Sequence, residues 1–551
     1  MARSDHWYKN AVIYCLDVDT FQDGNGDGEG DFRGLTDRLD YLDGLGITCI
    51  WLLPFFPSPD RDNGYDVMDY YNVDPRLGTL GDFVEFLREA DERGIRVISD
   101  LVVNHTSNQH PWFQQARRDR NSKYRNFYIW NDDPPDDTSD ETVFPGEQHS
   151  IWTYDEQAGS HYLHRFYDHQ PELNIENPAV RDEILKIMGY WLQLGISGFR
   201  LDAAPYLIDM RGINENGESN YAYLEEFRRF LDVRRGNAIM IAEANVEPKK
   251  KNEYFGVGNR MQMVFNFYLN QYMFLALARQ SAKPLIDALK KIPPVPTYCQ
   301  WANFVRNHDE LTLDKLTKKE RQEVFRAFGP EEHMQIFNRG IRRRYPPMVD
   351  GDPRRIKLAY SLMLTLPGTP VLWNGEEIGM GDDLSLEGRN SVRTSMQWSD
   401  EPNGGFSTAA AEDLYRPVIS KGAFGYKKVN IAQQERDPNS LLNWMEHAIR
   451  VRKLCPEFGW GEWEIIKTGD AAVLAHCCTW HEGRVMAVHN LSYKKRQVEL
   501  NLRSKQTRHV IDLLGDSEQN QLRGPIHRLT LKPYDCRWFR LEHTDGYRKQ
   551  K

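Results

Sequence analysis

The chain has 551 residues, a formal net charge of −10 and a mean hydropathy of −0.66. This balance is typical of a soluble protein with a sizeable core, and the negative charge argues against nucleic acid as a partner. No apolar run approaches the roughly 18 residues that span a bilayer, and the N-terminus carries no apolar signal segment. Seven cysteines without metal-ligand spacing favour reduced thiols. We therefore expect a cytoplasmic protein without a membrane anchor.

Short apolar runs alternate with longer amphipathic helical patterns, which indicates βα units and a parallel sheet. Eight such runs with helices between them predict an α/β fold of the closed (β/α)8, or TIM, barrel type. The predicted strands cover residues 11–21, 49–55, 96–104, 198–203, 238–244, 263–267, 302–307 and 370–374.

Three segments break or end this rhythm. Residues 106–172, after the third strand, are too long for a plain connection and predict an insertion domain over the barrel mouth. A second insertion is expected around residues 310–345. Short alternating strands after residue 455 predict a C-terminal antiparallel β-sandwich domain over residues 456–551. The catalytic barrel then comprises residues 1–105 and 173–455.

Ionisable residues stand at the predicted C-terminal ends of four strands, where barrel enzymes hold their catalytic groups. These positions are Asn104 and His105, Arg200 and Asp202, Glu243 and Asn245, and His308, Asp309 and Glu310. A single acidic residue at a strand end is more often a cap than a catalyst. Three carboxylates, two histidines and an arginine on one rim would be costly to bury without a use. Asp202, Glu243 and Asp309 are therefore the candidate catalytic residues.

Four strings carry a family resemblance: Asp-Leu-Val-Val-Asn-His (100–105), Gly-Phe-Arg-Leu-Asp-Ala (198–203), Ile-Ala-Glu-Ala-Asn (241–245) and Arg-Asn-His-Asp-Glu (306–310). In this order they resemble the signature regions of the α-amylase superfamily of retaining glycoside hydrolases. Within it, the chain most resembles the trehalose synthases, which interconvert maltose and trehalose. The resemblance implies that Asp202 is the nucleophile, Glu243 the general acid and then base, and Asp309 a ligand of the sugar hydroxyls. The two reacting carboxyl groups should lie about 5–5.5 Å apart, one ionised and one protonated.

Further motif residues are candidates for sugar binding. Arg200 lies on the same strand face as Asp202 and is expected to keep that carboxylate ionised. The resemblance implies that His105 and His308 donate hydrogen bonds to sugar hydroxyls. It also implies that Tyr65 stacks on the terminal glucose and that Asp66 binds it. The remaining candidates are Arg393, as an ion-pair partner of Asp66 or a structural arginine, and Asn245 and Glu310, which favour retention of the released sugar.

The loop over residues 23–31 places oxygen-bearing side chains at every second position, with glycines between them. Hard oxygen ligands at this spacing are typical of a calcium site, although the loop lacks the terminal glutamate of an EF-hand. The candidate ligands are Asp23, Asn25, Asp27, Glu29 and Asp31. The resemblance implies a second calcium site with Asn104 and Glu172, where Glu172 replaces an aspartate. Both ions would be structural, and we expect no organic cofactor.

The chain departs from the trehalose synthase pattern in its first strand, in Trp373-Asn374 near the eighth strand, and at Ser395. None of these positions belongs to the carboxylate trio, so the departures bear on the acceptor. The leading hypothesis is a maltose–trehalose isomerase, and its rival is an exo-acting α-glucosidase or another transglucosylase on short α-glucosides. A non-catalytic relative would need a membrane segment and usually lacks the trio. The oligomeric state, a homo-oligomer included, stays open.

Overall fold

The barrel is closed and parallel in the computed structural model, which describes residues 6–135, 137–209, 219–502, 507–515, 520–521 and 526–543. Each strand pairs with the next along the chain, and the eighth pairs with the first in the register Ile13–Val371. The predicted fold class is confirmed. The barrel strands are Ile13–Leu16, Cys49–Leu52, Arg96–Leu101, Gly198–Leu201, Ile239–Ala242, Met263–Phe265, Gln300–Phe304 and Thr369–Trp373.

Most of the predicted strands are too long at their C-terminal ends. The first barrel strand ends at Leu16, and a short helix, Val18–Phe21, follows where the sequence predicted continued strand. All of these residues are buried. The helix residues Val-Asp-Thr-Phe include the β-branched and aromatic types that are typical of strands, which explains the error.

Amphipathic helices cover the outside of the barrel. Capping side chains mark several of their starts: Thr79 and Asp82, for example, form a reciprocal capping box at Leu80–Glu92. The main covering helices are Phe32–Asp37, Leu39–Leu45, Leu80–Glu92, Pro178–Leu194, Ala222–Arg234, Pro248–Phe255, Phe267–Arg279, Lys283–Lys291, Pro353–Thr365, Ile431–Arg436 and Leu441–Lys453. Within the described part of the chain, no helix is both long and apolar enough to cross a bilayer.

Two insertions meet above the C-terminal ends of the strands. The first contains the helix Pro111–Arg118 and a sheet of Trp130–Asn131, Ser160–Leu163 and Trp152–Asp155. The second contains the helix Lys318–Phe328 and a sheet of Leu311–Thr312, Gly340–Ile341 and Gln335–Ile336. Val143 and Phe144 of the first insertion pack against Ile336 and Phe337 of the second. We call these four residues the roof cluster. The rings of Phe144 and Phe337 stack with centroids 4.7 Å apart.

The C-terminal region forms a six-stranded antiparallel sheet and a separate two-stranded sheet. It packs on the helix Pro353–Thr365, where Ser361 Oγ lies 2.9 Å from His489 Nε2 and accepts the indole N–H of Trp538 at 2.8 Å. The strands of the larger sheet are Glu462–Ile466, Val473–Trp480, Gly483–Asn490, Cys536–His543, Thr507–Asp512 and Asn520–Gln521. Those of the smaller sheet are Arg496–Asn501 and Ile526–Leu531.

The interior of the barrel is apolar over one part and charged at its C-terminal end. Alternate strand residues such as Ile13, Trp51, Ile241 and Phe265 form a buried apolar cluster. Inward-pointing residues nearer the strand ends are charged instead. Gly198 opens the fourth strand at φ 149°, and a Cβ there would lie 2.2 Å from the carbonyl oxygen of Ile239. This glycine therefore allows the fourth and fifth strands, which carry Asp202 and Glu243, to approach each other.

Candidate active site

Arg200 is the centre of a buried charge cluster at the strand ends. Its side chain is 2% exposed. One guanidinium nitrogen, Nη1, lies 2.5 Å from Asp202 Oδ1 and 2.6 Å from Asp100 Oδ1. The other, Nη2, lies 3.0 Å from Glu243 Oε2. One guanidinium thus holds carboxylates from three neighbouring strands, and it brings Asp202 and Glu243 to opposite nitrogens of the same group.

The backbone just after Asp202 also binds Glu243. Ala203 adopts a left-handed conformation, with φ 49° and ψ 34°. Its N–H donates to Glu243 Oε2 at 3.0 Å. A non-glycine residue in this region is strained by about 1 kcal/mol or more, and such strain clusters at functional sites. The strained turn orients Glu243 beside Asp202.

Both carboxyl groups titrate close to neutral pH. Burial raises the pKa of Asp202 to about 7, and the Arg200 guanidinium offsets that effect only in part. Burial likewise raises the pKa of Glu243 to about 7, with further contributions from Asp202 and Asp309. The structure contains the expected ion pair of Arg200 and Asp202, and burial has the larger effect on the pKa of Asp202. At neutral pH the two carboxyl groups hold about one proton between them. Because Asp202 makes the shorter contact with Arg200, that proton is held by Glu243.

Asp309 is the carboxylate that stays ionised. Burial acts to raise its pKa, but His308 and Arg389 hold the pKa of Asp309 well below its ordinary value. Arg389 Nη1 and Arg393 Nη2 lie 2.7 and 3.0 Å from Asp309 Oδ1. His308 Nε2 lies 3.1 Å from Asp309 Oδ2. An anion fixed beside the reacting pair can stabilise a positive charge that develops on a sugar ring.

Of the two alternatives for Arg393, the ion pair with Asp66 is wrong. Arg393 contacts Asp309 and donates through Nε to the carbonyl oxygen of His308 at 2.9 Å. Asp66 is fully buried outside the cavity, where it accepts hydrogen bonds from Ser58 Oγ and from the N–H groups of Arg61 and Asp62. Its carboxylate is therefore occupied by the turn that it closes.

Asp62 occupies the place predicted for Asp66. The loop from Ser58 to Asp66 curls tightly because Asp60, Asn63 and Gly64 all have positive φ. This curl points Asp62 into the cavity. Asp62 Oδ1 accepts from Arg389 Nη2 at 2.6 Å, and Gln170 Nε2 donates to Asp62 Oδ2 at 3.0 Å. Arg389 consequently bridges Asp62 and Asp309.

A cavity of about 240 Å³ lies above the carboxylate trio and below the roof cluster. One group of its lining residues, Asp62, Tyr65, Asp309 and Arg389, forms what we call the Arg389 side. A second group, Asn245, Glu310, Thr312, Asp314 and Lys315, forms the Asn245 side. Asp202 and Glu243 also line the cavity, and Phe144 and Phe166 cover it. The cavity therefore presents reacting carboxylates to a small polar ligand under an apolar cover.

The predicted sugar-binding residues occupy two shells around this cavity. Tyr65, His105, Asn245 and Glu310 line it, whereas Arg200, His308 and Arg393 touch residues that line it. The ring of His308 is fully buried, and its Nε2 lies 2.8 Å from Tyr65 Oη. Its direct contact with a sugar stays a prediction. His105 Nε2 lies 3.1 Å from the carbonyl oxygen of Tyr65.

The loop proposed to bind calcium is held by its own hydrogen bonds. Asp23 accepts from the N–H groups of Asn25, Gly26 and Gly28 and from Ser407 Oγ. Asp31 accepts from the N–H groups of Gly24 and Gly34. The side chain of Glu29 is diverted to Arg76, 2.6 Å away. Across the described ranges, no three His, Cys, Asp or Glu side chains are placed to hold a metal ion together. Asn25 and backbone carbonyl groups would have to complete a site.

The second proposed calcium site has a competing cation beside it. The backbone brings Asn104 and Glu172 together. His105 and Glu172 pair as in an antiparallel sheet, and the N–H of Leu173 donates to the carbonyl oxygen of Asn104. Arg165 Nε lies 3.4 Å from Glu172 Oε1. This guanidinium would compete with a calcium ion for Glu172, whereas Asn104 Oδ1 is buried without a hydrogen-bond partner among the described residues, as a ligand atom would be. The second calcium site stays a prediction.

Sequence reasoning missed Asp62, Asp100, Asp314 and Arg389. Asp100 begins the quoted string of the third strand, and its place on the inward face with Arg200 could have indicated its role. Asp62 lies in a turn-rich stretch of the kind that often carries function. Arg389 is 327 residues away from Asp62 in a loop without periodicity. No local signal in the sequence connects those two residues.

Two family models match the chain. The model described as the alpha amylase catalytic domain matches residues 16–461. The model described as the C-terminal domain of sucrose hydrolase-like proteins matches residues 483–540. The first covers the barrel with both insertions, and the second lies within the C-terminal sheets.

Known proteins resemble the chain over nearly its whole length. A trehalose synthase from Pimelobacter sp. is 40% identical, with 99% of this chain and 97% of that protein covered. The crystal structure of an α-amylase from H. orenii superposes with a TM-score of 0.79 at 28% identity, covering 97% of this chain and all of that one. A trehalulose synthase from Pseudomonas mesoacidophila gives a TM-score of 0.77 at 26% identity, covering 97% and 99%.

Proposed function

Because the chain belongs to the alpha-amylase family, we propose that it is a retaining enzyme that interconverts maltose and trehalose by intramolecular glucosyl transfer. The observation that carries the proposal is the cavity beneath the roof cluster, in which Asp202 and Glu243 share one guanidinium. Likeness to a trehalose synthase over 99% of this chain supports the choice of substrates. The second candidate, an exo-acting α-glucosidase, uses the same residues with water as the acceptor.

The first half of the reaction breaks the glycosidic bond of maltose. Asp202 attacks C1 of the non-reducing glucose while Glu243 transfers its proton to the leaving O4. The products are a β-glucosyl ester of Asp202, a deprotonated Glu243 and free glucose. Asp309, kept ionised by Arg389 and Arg393, stabilises the positive charge on the ring in the transition state.

The second half forms the new bond without net consumption of water. The released glucose turns within the cavity so that its O1 hydroxyl faces C1 of the ester. Glu243 accepts the O1 proton, O1 attacks C1, and the bond to Asp202 breaks. Two inversions at C1 restore the α configuration of the transferred glucose, and an acceptor glucose that is bound as its α anomer then gives the α,α-1,1 linkage of trehalose. If water attacks instead, both sugars leave as glucose.

The Arg389 side of the cavity fits the end of a chain. Asp62 and Arg389 form a partly buried ion pair beside Tyr65, which lies against His308 with parallel rings. This wall offers hydrogen-bond partners to the hydroxyls of a terminal glucose, and the Asp62–Arg389 pair stands between this cavity and a second one that it also lines. It therefore supports short α-glucosides bound at their non-reducing end.

The decisive experiment is proton NMR of the products formed from maltose and, separately, from trehalose. An isomerase converts each sugar into the other, and glucose is a minor product. If both sugars yield glucose alone, the α-glucosidase alternative replaces the proposal. If neither sugar is consumed, both candidates fail.

Calcium at the loop of residues 23–31 is part of the proposal as a structural ion. Asp23, Asn25, Asp27 and Asp31 offer the hard oxygen donors that calcium prefers, and the ion would tie the loop to Ser407 and the barrel. It would take no part in the reaction. Thermal unfolding with EGTA and with added calcium tests this. We expect EGTA to lower the Tm, and Asp27→Ala to abolish the difference; an identical Tm in both buffers contradicts the site.

A cytoplasmic location is proposed from the thiols. Each of the seven cysteines is free, and six are buried. Burial raises the pKa of Cys49, Cys299 and Cys478, which keeps these thiols protonated. A reducing compartment suits such a set. Localisation of a tagged chain by cell fractionation tests it.

A further inference from the structure

The turn that carries Asp62 into the cavity is strained at the next residue, Asn63. The backbone of Asn63 has φ 49°, and the residue is buried. A left-handed conformation costs about 1–2 kcal/mol for most residues other than glycine, although asparagine tolerates it better than most. The direction of the Asp62 side chain therefore depends on the contacts that keep Asn63 in this conformation.

A carboxyl group and a guanidinium hold the two ends of the Asn63 amide. Asn63 Nδ2 donates to Asp17 Oδ2 at 2.8 Å. Asn63 Oδ1 accepts from Arg416 Nη2 at 3.3 Å. A guanidinium can only donate hydrogen bonds, so the amide oxygen must face Arg416 and the NH₂ group is left for Asp17. We call Asp17, Asn63 and Arg416 the turn clamp.

The turn clamp is anchored on two parts of the barrel. Asp17 follows the first barrel strand directly and is 2% exposed. The carbonyl oxygen of Arg416 accepts from Ser395 Oγ at 3.0 Å. Tyr415, the neighbour of Arg416, donates to Oδ2 of Asp60, a second residue of the turn with positive φ, at 2.5 Å. The segment of the turn that enters the cavity is therefore fixed on both sides.

Two departures from the trehalose synthase pattern meet at the turn clamp. Asp17 lies in the departing stretch that was predicted as the first strand, and Ser395 is another departing position. Among the described residues, no hydrogen bond or ion pair joins the turn clamp to Asp202 or Glu243. The turn clamp can therefore alter the affinity for a sugar without altering the reacting groups.

We propose that Asp17 and Arg416 are positioning residues that set the affinity for the transferred glucose through the turn clamp. By fixing Asn63, they hold Asp62 against Arg389. This inference rests on the proposed function and adds to it two residues that lie outside the active cavity. Both act through the turn, and neither takes part in proton transfer.

The test compares KM and kcat for 4-nitrophenyl α-glucoside, whose only sugar is the transferred glucose. Asp17→Ala removes one of the two hydrogen bonds that fix Asn63, and we expect the KM to rise about fivefold, the effect of one lost hydrogen bond. The kcat should stay within about twofold of wild type, because a contact made equally in the bound substrate and in the transition state affects KM alone. The KM for maltose should rise in proportion, at an unchanged trehalose-to-glucose ratio.

Three further variants separate positioning from a loss of stability. Asp17→Asn keeps an oxygen that can accept from Asn63, so its KM should stay within about twofold of wild type. Asn63→Gly permits the left-handed backbone but removes both hydrogen bonds, and it should raise the KM as Asp17→Ala does. Asp155→Ala removes a similarly buried carboxylate from the first insertion and should leave the KM unchanged. The Tm of each variant reports its folding.

A double-mutant cycle with Asp62→Ala identifies the route of the effect. Asp62→Ala removes the carboxylate that the turn clamp positions, so a second change of Asp17→Ala should raise the KM little further. Additive increases in KM would show that Asp17 acts independently of Asp62, and they would overturn the inference. So would an unchanged KM in both Asp17→Ala and Asn63→Gly.

The outcomes distinguish this inference from the proposed function. A wild-type enzyme that makes no trehalose contradicts the proposed function and leaves the expected KM values for the aryl glucoside as they are. If the aryl glucoside is not turned over, titration calorimetry with maltose gives a Kd in place of the KM. The same fivefold weakening in Asp17→Ala is then expected, and an unchanged Kd overturns the inference.

Discussion

Arg389 on one side of the cavity lies 2.6 and 2.7 Å from two carboxylates, whereas Asn245 on the other side makes a single hydrogen bond of 2.9 Å to Asp314. The Arg389 side is ionic and rigid, which suits a glucose that is held throughout the reaction. The Asn245 side relies on weaker, directional contacts, which suit a sugar that must turn. Damage to the first side should lower the rate for every substrate, and damage to the second should change the product.

The largest loss of activity is expected from a substitution of Asp202, which lies between the two sides of the cavity. Asp202→Ala removes the nucleophile, and kcat should fall by about 10⁴-fold or more on maltose and on 4-nitrophenyl α-glucoside alike. The alanine leaves space for azide, which should attack from the vacated face and give a β-glucosyl azide. The measurement is nitrophenol release with NMR of the azide product. Activity near that of the wild type would contradict the assignment of Asp202.

On the Arg389 side, Arg389→Gln should reduce kcat/KM by roughly 100-fold, because two partly buried carboxylates each lose a charged partner. The loss should be similar for maltose and for the aryl glucoside, and the trehalose-to-glucose ratio should stay at its wild-type value. Arg354→Gln, at an exposed ion pair, is the matched control. If Arg389→Gln changed the trehalose-to-glucose ratio and left kcat/KM unchanged, the Arg389 side would control the product and not the rate, contrary to this expectation.

The pH dependence of kcat/KM should report the ionisation of Asp202 and Glu243, which lie between the two sides of the cavity. The pKa values of Asp202 and Glu243 are both about 7, so kcat/KM for maltose should peak near neutral pH. Below the peak Asp202 gains a proton and ceases to be a nucleophile; above it Glu243 loses the proton that the leaving oxygen needs. Each limb falls about tenfold per pH unit. With 4-nitrophenyl α-glucoside the alkaline limb should be weaker, and identical alkaline limbs for both substrates would argue against Glu243 as the acid.

The smallest effect is expected in the roof cluster. Phe337 stacks on Phe144 but does not line the inner cavity, so Phe337→Ala loosens the cover without removing a sugar contact. Water should reach the glucosyl ester more often, and the trehalose-to-glucose ratio should fall roughly threefold. NMR of maltose products measures it, with Tyr493→Ala, at an aromatic ring 60% exposed, as the control. An unchanged ratio would assign water exclusion to other residues.

The barrel could be predicted because its signal is local. Each strand is a short apolar run, and the polar residues that end the runs of the third, fourth, fifth and seventh strands point to one rim. The trio of Asp202, Glu243 and Asp309 follows from that geometry and from the motif strings. Strand ends were less predictable, since Val18–Phe21 are as buried in a helix as they would be in a strand.

The walls of the cavity could not be predicted in the same way. Asp62 meets Arg389, and Asn245 meets Asp314, through contacts between loops that follow different strands. The family resemblance predicted Asp66, the direct neighbour of Tyr65, and only the fold of the turn shows that Asp62 enters the cavity instead. The geometry of loops depends on contacts that no periodicity records.

The sharing of Arg200 among Asp100, Asp202 and Glu243 limits how the site can change. A substitution at any of the four positions alters the charge felt by the other three, and these residues come from three separate strands. Single mutations that retune the centre will therefore seldom be tolerated. New substrate preferences are more accessible through the loops that carry Asp62, Asp314 and the roof cluster, where one exchange disturbs few neighbours. The charge cluster around Arg200 therefore tolerates little substitution, and related enzymes can differ in the loops around the cavity.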